Sequence, residues 1–212
     1  MNQAVMPRQN SKSPFEFTGG HLCLNFTNTV DNRKGLNRKE LLTSYADLLR
    51  WAEEANILRM KDAGRLQNMA EAAPGQAKSA LCSALQLRES LYALFSAATE
   101  RRAIPGTALS VLNRAVQRTA QHERIAEDRR RFHWQLISPE SSLDSILWPI
   151  ARSAADLLTS PDLENVRQCA STDCAWLFLD ATKNHRRRWC EMRTCGNRAK
   201  ARRYYERQRS EL

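Results

Sequence analysis

The sequence contains no long apolar run, and no stretch approaches the roughly 20 consecutive apolar residues that a bilayer-spanning helix needs. Its start, "MNQAVMPRQNSKSPFEF", also lacks the apolar segment of a secretory signal. A glycine-rich phosphate loop is missing too, because "FTGGH" has neither the required spacing nor a lysine. These absences predict a cytoplasmic protein with no membrane partner. In that compartment cysteines stay reduced, so a cluster of them indicates a metal site rather than disulfides.

Cysteines are scarce, yet four of the six fall close together near the end of the chain. Their spacing is C-x4-C, then fifteen residues, then C-x4-C. Two close pairs allow two short turns to present four thiolates to one ion, and zinc prefers four tetrahedral ligands of this kind. The pattern therefore predicts one structural Zn²⁺ per chain, bound by Cys169, Cys174, Cys190 and Cys195.

Other uses of these cysteines remain open. An iron–sulfur cluster also takes four cysteines, but its usual runs are more compact. A redox pair normally uses C-x-x-C, which is absent. His185 could replace one ligand, although it lies in the basic segment "KNHRRRW". Four thiolates leave no open coordination position, so we predict a structural zinc and no catalytic residue. Outside the cluster, Cys82 is predicted to be a buried thiol in a helix.

The net charge of +10 is concentrated at one end of the chain. Residues 183–212 contain eleven basic and three acidic groups, which gives +8. The first 182 residues contain 22 basic and 20 acidic groups, which gives +2. Such asymmetry predicts a nearly neutral body followed by a module that binds a polyanion.

A basic helix is predicted directly after the last cysteine. Gly196 is expected to adopt positive φ in a tight turn, and Asn197 to cap the helix. Ala201 and Tyr204 are expected to pack towards the finger. The alternative is a solvated helix without a partner. Arginine outnumbers lysine, and its planar fork suits phosphates and guanine edges. We therefore expect contact with double-stranded DNA from Arg198, Lys200, Arg202, Arg203 and Arg207, and from the preceding loop residues Arg186, Arg187 and Arg188.

Apolar residues recur at helical spacing over most of the remaining chain. One predicted helix begins near residue 37, two more cover about 59–72 and 76–102, and a fourth begins near Pro105. A later helix has a kink at Pro149 and ends at Pro161. A short strand or a hairpin is predicted around 123–138, and two short strands are predicted around the first cysteine pair. The segment 15–35 is ambiguous and favours helix slightly. The fold class is thus mainly α: a helical N-terminal domain with a few short strands, plus a small C-terminal four-cysteine zinc finger ending in a basic helix. The predicted boundaries are a flexible N-terminus at 1–14, a helical domain at 15–160 and the finger at 161–212.

Polar residues interrupt the apolar pattern of "GGHLCLNFTNT". Buried polar groups must be hydrogen-bonded, either within the protein or to a ligand. Asn25 and Asn28 would therefore brace neighbouring helices, or they would form a small-molecule pocket with His21 and Cys23.

The sequence "CGNR" at Cys195–Arg198, with three cysteines before it, resembles the CGNR-type zinc finger at the C-terminus of a bacterial family described as stress-induced transcription regulators. This resemblance covers about 165–208. Members also carry an N-terminal helical domain, named ABATE, that opens with a segment similar to "GGHLCLNFTNTVDNR". An aspartate is common in that family where Asn25 stands here. The resemblance implies that the finger binds DNA and that the protein is regulatory.

Together these patterns predict a bacterial, nucleoid-associated transcription regulator. One small finger gives limited affinity, so we expect a homodimer, with the N-terminal domain pairing two chains or sensing a small-molecule effector. An RNA-binding or ribosome-associated zinc protein is one alternative. A small-molecule-binding enzyme with a structural finger is another.

Overall fold

A computed structural model describes residues 13–210, so nearly all of the predicted flexible N-terminus at 1–14 lies outside the described residues. Within this range the helices are α1 (Leu22–Thr27), α2 (Tyr45–Glu54), α3 (Met60–Ala72), α4 (Pro74–Thr99), α5 (Gly106–Ala120), α6 (Leu147–Leu158) and α7 (Asn197–Ser210). The strands are β1 (Val30–Asp31), β2 (Lys39–Glu40), β3 (Glu123–Asp128), β4 (Arg131–Leu136), β5 (Val166–Gln168) and β6 (Leu177–Leu179). They pair consecutively as three antiparallel two-stranded sheets. The mainly α fold is confirmed.

The core forms where the helices pack around α4. Leu87, Leu91 and Phe95 on this helix are buried, and they share one apolar cluster with Phe26 of α1 and Ile150 of α6. Such burial contributes on the order of 2 kcal/mol for each large apolar side chain. The finger belongs to the same cluster, because Val166 and Leu177 are buried in it as well.

The predicted start of the helix near residue 37 is wrong. Ser44 and Asp47 form a capping box, in which each side chain accepts from the other residue's backbone N–H. This arrangement fixes the first turn of α2 at Tyr45. The ambiguous segment 15–35 contains helix α1, as the weak preference predicted, and then strand β1.

Two further expectations also need correction. Pro149 does not kink α6, because it is the third residue of that helix and its missing N–H has no partner to lose there. Cys82 is exposed rather than buried, so α4 turns this thiol to solvent. Among residues 13–210, no helix is both long and apolar enough to cross a membrane.

Candidate metal centre and basic surface

Four buried cysteine sulfurs meet in one cluster, all within 4.8 Å of one another. The Sγ of Cys190 lies 3.6 Å from that of Cys174 and 3.7 Å from that of Cys195. A tetrahedron of thiolates around zinc, with Zn–S bonds of about 2.3 Å, places its sulfurs about 3.8 Å apart. A disulfide needs about 2.0 Å. The spacing therefore fits one tetrahedral zinc ion.

The chemistry of these donors also fits a cation. Cys174, and then Cys190 and Cys195, lower the pKa of Cys169 through hydrogen bonds to its sulfur. The hydrogen bond to Cys169 in turn raises the pKa of Cys190. Without a metal, hydrogen bonds among the sulfurs also lower the pKa of Cys195 and raise that of Cys174, so the four thiols do not all ionise together. A divalent metal reverses this balance, because its charge stabilises four thiolates at once.

The first ligand pair lies in the turn between β5 and β6, which we call the zinc knuckle (residues 169–176). Cys169 donates its N–H to the Trp176 carbonyl (2.8 Å), and Ala175 adopts positive φ (58°) to close the turn. Of the second pair, Cys190 precedes a π-helical turn, Met192–Gly196, and Cys195 lies within that turn, which continues into α7. One metal ion therefore joins the β-hairpin to the start of the basic helix.

Some predicted details of this junction are wrong. Gly196 lacks the predicted left-handed backbone; among the described glycines that conformation belongs to Gly20 (φ +74°). A Cβ at Gly196 would instead collide with the Sδ of Met192. Asn197 does not N-cap α7, since its backbone is helical and its Nδ2 donates to the Arg193 carbonyl (3.1 Å). Glu191 caps the π-turn instead, by accepting the N–H of Arg193 (3.2 Å).

His185, the alternative metal ligand, lies elsewhere. Its Nδ1 is 2.9 Å from the carbonyl of Asp180. Burial raises the pKa of the Asp180 carboxyl, but hydrogen bonds from Thr182 and Arg187 outweigh this and hold the pKa below its usual value. Asp180 therefore stays charged and fixes the basic loop that follows it.

Residues 19–35 form a surface against which the finger packs, and we call it the finger seat. The side chain of Asn28 bridges the backbone of Leu177: its Nδ2 donates to the carbonyl (2.8 Å) and its Oδ1 accepts the N–H (3.0 Å). Trp176 donates its indole N–H to the Val30 carbonyl (2.7 Å). All four residues are buried, so these bonds hold the finger in one orientation.

Backbone contacts extend along the rest of the finger seat. Three N–H groups bond across it: Leu179 to Gly19 (2.8 Å), Arg33 to Cys174 (3.3 Å) and Lys34 to Asp173 (3.0 Å). Two of these acceptors are in the zinc knuckle. The zinc knuckle is thus bonded directly to the helical domain.

Buried arginines brace the finger seat from below. Arg88, only 2% exposed, donates two 2.6 Å bonds to the carboxylate of Glu40 and one of 3.2 Å to Thr29. Arg33 bonds to Glu89 (2.9 Å) and also covers the Tyr92 ring at 4.0 Å. Paired charges of this kind fix geometry more than they add stability.

The residues predicted as a ligand pocket have partners within the protein. Asn25 accepts the N–H of Gly19 (2.8 Å), so both asparagines are hydrogen-bonded within the protein, to a loop and to strand β6 rather than to neighbouring helices. Cys23 is buried with its Sγ 3.4 Å from His21 Nδ1, and burial raises its pKa to about 12. It therefore stays a thiol near neutral pH, a weak nucleophile. A ligand pocket at these four residues stays a prediction.

Sequence reasoning missed the residues that receive the finger. Tyr92 of α4 donates its hydroxyl to the Ala175 carbonyl (3.2 Å) and accepts from Gln168 (3.0 Å). The available signal was Trp176, because a buried indole needs an acceptor for its N–H. The sequence does not reveal which backbone provides that acceptor.

Helix α7 extends into solvent. From Lys200 to Arg209 every side chain is exposed, so the expectation that Ala201 and Tyr204 pack on the finger is wrong. Tyr204 and Tyr205 are 61% and 66% exposed. Lys200 and Arg207 are exposed on the same helix.

A groove of about 190 Å³ separates the start of α7 from the zinc knuckle. We call it the basic groove; its lining includes Trp189, Arg188, Arg198, Arg202 and Arg203. Arg202 crosses the groove and donates to the Thr172 hydroxyl, and it pairs with Asp173 at 3.4 Å.

Of the three loop arginines, Arg187 has a structural role. Arg187 is half-buried, with its guanidinium 4.4 Å from the Phe178 ring and donating to the carbonyls of Trp189 (3.0 Å) and Cys190. Arg187 therefore supports the backbone beside Cys190, the third zinc ligand. Arg186 is exposed, and Arg188 lies over the Trp189 ring at 5.3 Å.

The fold and the site define a class: a helical protein with a C-terminal four-cysteine zinc finger that presents an exposed basic helix. Residues 20–161 match the family model ABATE, described as "Putative stress-induced transcription regulator". Residues 165–208 match the CGNR zinc finger. The chain belongs to the ABATE family, and the predicted zinc cofactor is confirmed. No curated protein matches it.

Proposed function

We propose that this protein is a bacterial transcription regulator that binds double-stranded DNA through its zinc finger. The observation that carries the proposal is the basic groove, where four arginines surround an indole ring beside an exposed helix. Arginine binds phosphate in a bidentate manner, and such contacts position a protein on the duplex. The family description is consistent with a regulatory role.

Helix α7 has the shape that DNA recognition requires. The major groove is about 12 Å wide and admits an α-helix whose side chains are free to reach base edges. Exposed residues of α7 and the loop would contact phosphates and bases: Arg198, Lys200, Arg203, Arg207, Arg186 and Arg188. Arg202 would orient α7, because it already bonds to the zinc knuckle. Arg187 would act indirectly by supporting the backbone beside Cys190.

The helical domain would provide what one finger lacks. A single small DNA-binding module buries limited surface, and two of them in a dimer bind more tightly. We propose that this domain pairs two chains and transmits an effector signal through the finger seat. The protein would then act in the cytoplasm on the nucleoid.

The salt dependence of DNA binding tests the proposal. Full-length, zinc-loaded protein is titrated with fluorescent duplexes selected from bacterial genomic DNA. In the double variant Arg198→Ala/Arg203→Ala, the slope of log K against log salt should fall by roughly 2 units, because two phosphate contacts are lost. The matched control is Arg65→Ala/Arg114→Ala, which removes two exposed arginines from the helical domain and should leave the slope unchanged.

Three results would speak against the proposal. An unchanged slope in the α7 variant would mean that the helix does not meet phosphates. Tighter binding to an RNA duplex of the same sequence would support the RNA-binding alternative. Failure of the zinc-loaded protein to retain any nucleic acid would favour the enzyme alternative.

A further inference from the structure

The β3–β4 hairpin carries large apolar side chains that are largely exposed, although the Arg152 guanidinium lies 4.3 Å from the Trp134 ring. Ile125, Phe132 and Trp134 are 64%, 76% and 53% exposed. They share one face, because Ile125 pairs with Trp134 across the hairpin and side chains alternate along each strand. A two-stranded hairpin is marginally stable by itself, and additional strands are what makes such a sheet stable. Exposed apolar patches of this kind mark interaction surfaces.

The two edges of the hairpin differ in charge. Strand β3 carries Glu123, Arg124, Glu127 and Asp128, and charges along an edge discourage further strand pairing. Strand β4 has no acidic residue, lysine or arginine from Phe132 to Leu136. The edge that can accept another strand is therefore that of β4.

The hydrogen-bond pattern shows which residues of β4 would pair. Ile137 donates its N–H inward to the His122 carbonyl (2.8 Å), one residue beyond the six paired positions. Inward bonds recur at every second residue of an antiparallel strand, so the backbone N–H and C=O of His133 also point towards β3. Phe132, Trp134 and Leu136 consequently direct their N–H and C=O groups to the outer edge.

This pattern is self-complementary. If two β4 strands run antiparallel about a two-fold axis at His133, Phe132 of each copy lies opposite Trp134 of the other. Those are the residues whose backbone groups point outward, and aromatic cross-strand pairs stabilise a sheet. His133 would meet its own counterpart at a non-hydrogen-bonded position, where Cα atoms lie about 4.5 Å apart.

We propose that two copies of this chain associate by pairing their β4 strands, so that two hairpins form one four-stranded antiparallel sheet. This inference deepens the proposed dimeric regulator and names its interface. The occupant of the β4 edge is a second copy because the pairing satisfies both strands equally, as a two-fold axis requires.

Sedimentation of the full-length protein without DNA tests the interface. The variant His133→Asp should raise the dimer dissociation constant roughly tenfold or more, because two carboxylates then oppose each other across the axis. His133→Lys should do the same. An equimolar mixture of the two should recover the dimer, since opposite charges now meet.

The matched control is Ala126→Asp. Ala126 pairs with His133 within the hairpin and lies on the same face, so the charge is added at the same level. In the proposed sheet its counterpart would be three strand spacings away, about 14 Å, so the dimer should persist. His133 is exposed, and circular dichroism should show that every variant folds.

A monomeric wild-type protein would overturn the proposal, as would a dimer that His133→Asp leaves intact. If a charged variant misfolds, His133→Cys in a Cys82→Ser background gives a second test. Mild oxidation should form a disulfide between the two copies at position 133, because that Cα separation suits one. A dimer that forms no such cross-link would also contradict the pairing. DNA retention is measured separately, so failure of the interface and failure of DNA binding are distinguishable.

Discussion

The two halves of the zinc finger differ in how they contact the rest of the molecule. The β5–β6 hairpin is built into the helical core, where Val166 and Leu177 are about 1% exposed or less. Helix α7, on the other side of the metal, is exposed from Lys200 to Arg209. The cysteine cluster joins an anchored half to a projecting half. A metal ion in this position fixes the direction of α7 relative to the helical domain.

This contrast predicts which substitutions will change the stability of the whole protein. Loss of the metal or of a contact in the finger seat disturbs buried groups on both sides of the seat. Changes on α7 disturb exposed groups, whose contributions to stability are small. The predictions below follow this order, from the anchored half to the projecting one.

The largest effect is expected from Cys190→Ser. A structural zinc site contributes on the order of 10 kcal/mol, so the finger should lose its zinc and its fold. Because Leu177 belongs to the core shared with the helical domain, the thermal midpoint of that domain should fall as well. Zinc content per chain and thermal denaturation followed by circular dichroism measure both effects.

The natural control for this change is Cys82→Ser, which alters an exposed cysteine outside the cluster. It should keep one zinc per chain and the wild-type midpoint. If Cys190→Ser loses zinc but the helices melt at the wild-type temperature, the predicted boundary at residue 160 separates two independent domains. The anchored half would then contribute nothing to the helical core.

A smaller effect is expected from Asn28→Ala in the finger seat. The change leaves the N–H and C=O of Leu177 buried without partners, at about 1–3 kcal/mol each. The free energy of unfolding should therefore fall by about 2–6 kcal/mol in urea denaturation. Asn37→Ala, at an exposed position, should change it by less than about 0.5 kcal/mol. Equal effects of the two variants would mean that the bridge to Leu177 does not anchor the finger.

The features predicted correctly from sequence are those with a local physical cause. Helix α3 follows from its apolar period, and the β3–β4 hairpin from its alternating pattern. The cysteine cluster follows from ligand spacing, because two short turns can bring four sulfurs to one ion whatever surrounds them. Each of these signals lies within a few dozen residues of sequence.

The features that were missed depend on contacts between distant parts of the chain. Asn28 and Leu177 are 149 residues apart, and nothing in either segment identifies the other as its partner. Gly196 and Asn197 were assigned standard helix-boundary roles, but the π-turn at the metal changed the backbone of both. The helical pattern places Tyr204 off the cationic face and predicts that it packs on the finger, yet no neighbouring element of the described chain reaches that far along α7.

The smallest effect concerns an arginine that connects the projecting half to the anchored half. Arg202 is half-exposed and bonds to Thr172 and Asp173 across the basic groove, a type of pair that contributes about 0.5 kcal/mol. In Arg202→Ala, hydrogen exchange of the α7 amides should accelerate roughly twofold, while the global stability stays the same. Arg203→Ala is the matched control, because the Nε of Arg203 bonds to Ala199 within the same helix (3.4 Å) and does not cross the groove. If both variants exchange alike, the direction of α7 is set by the π-helical turn Met192–Gly196 alone. If only Arg202→Ala is faster, this side chain holds the helix against the zinc knuckle.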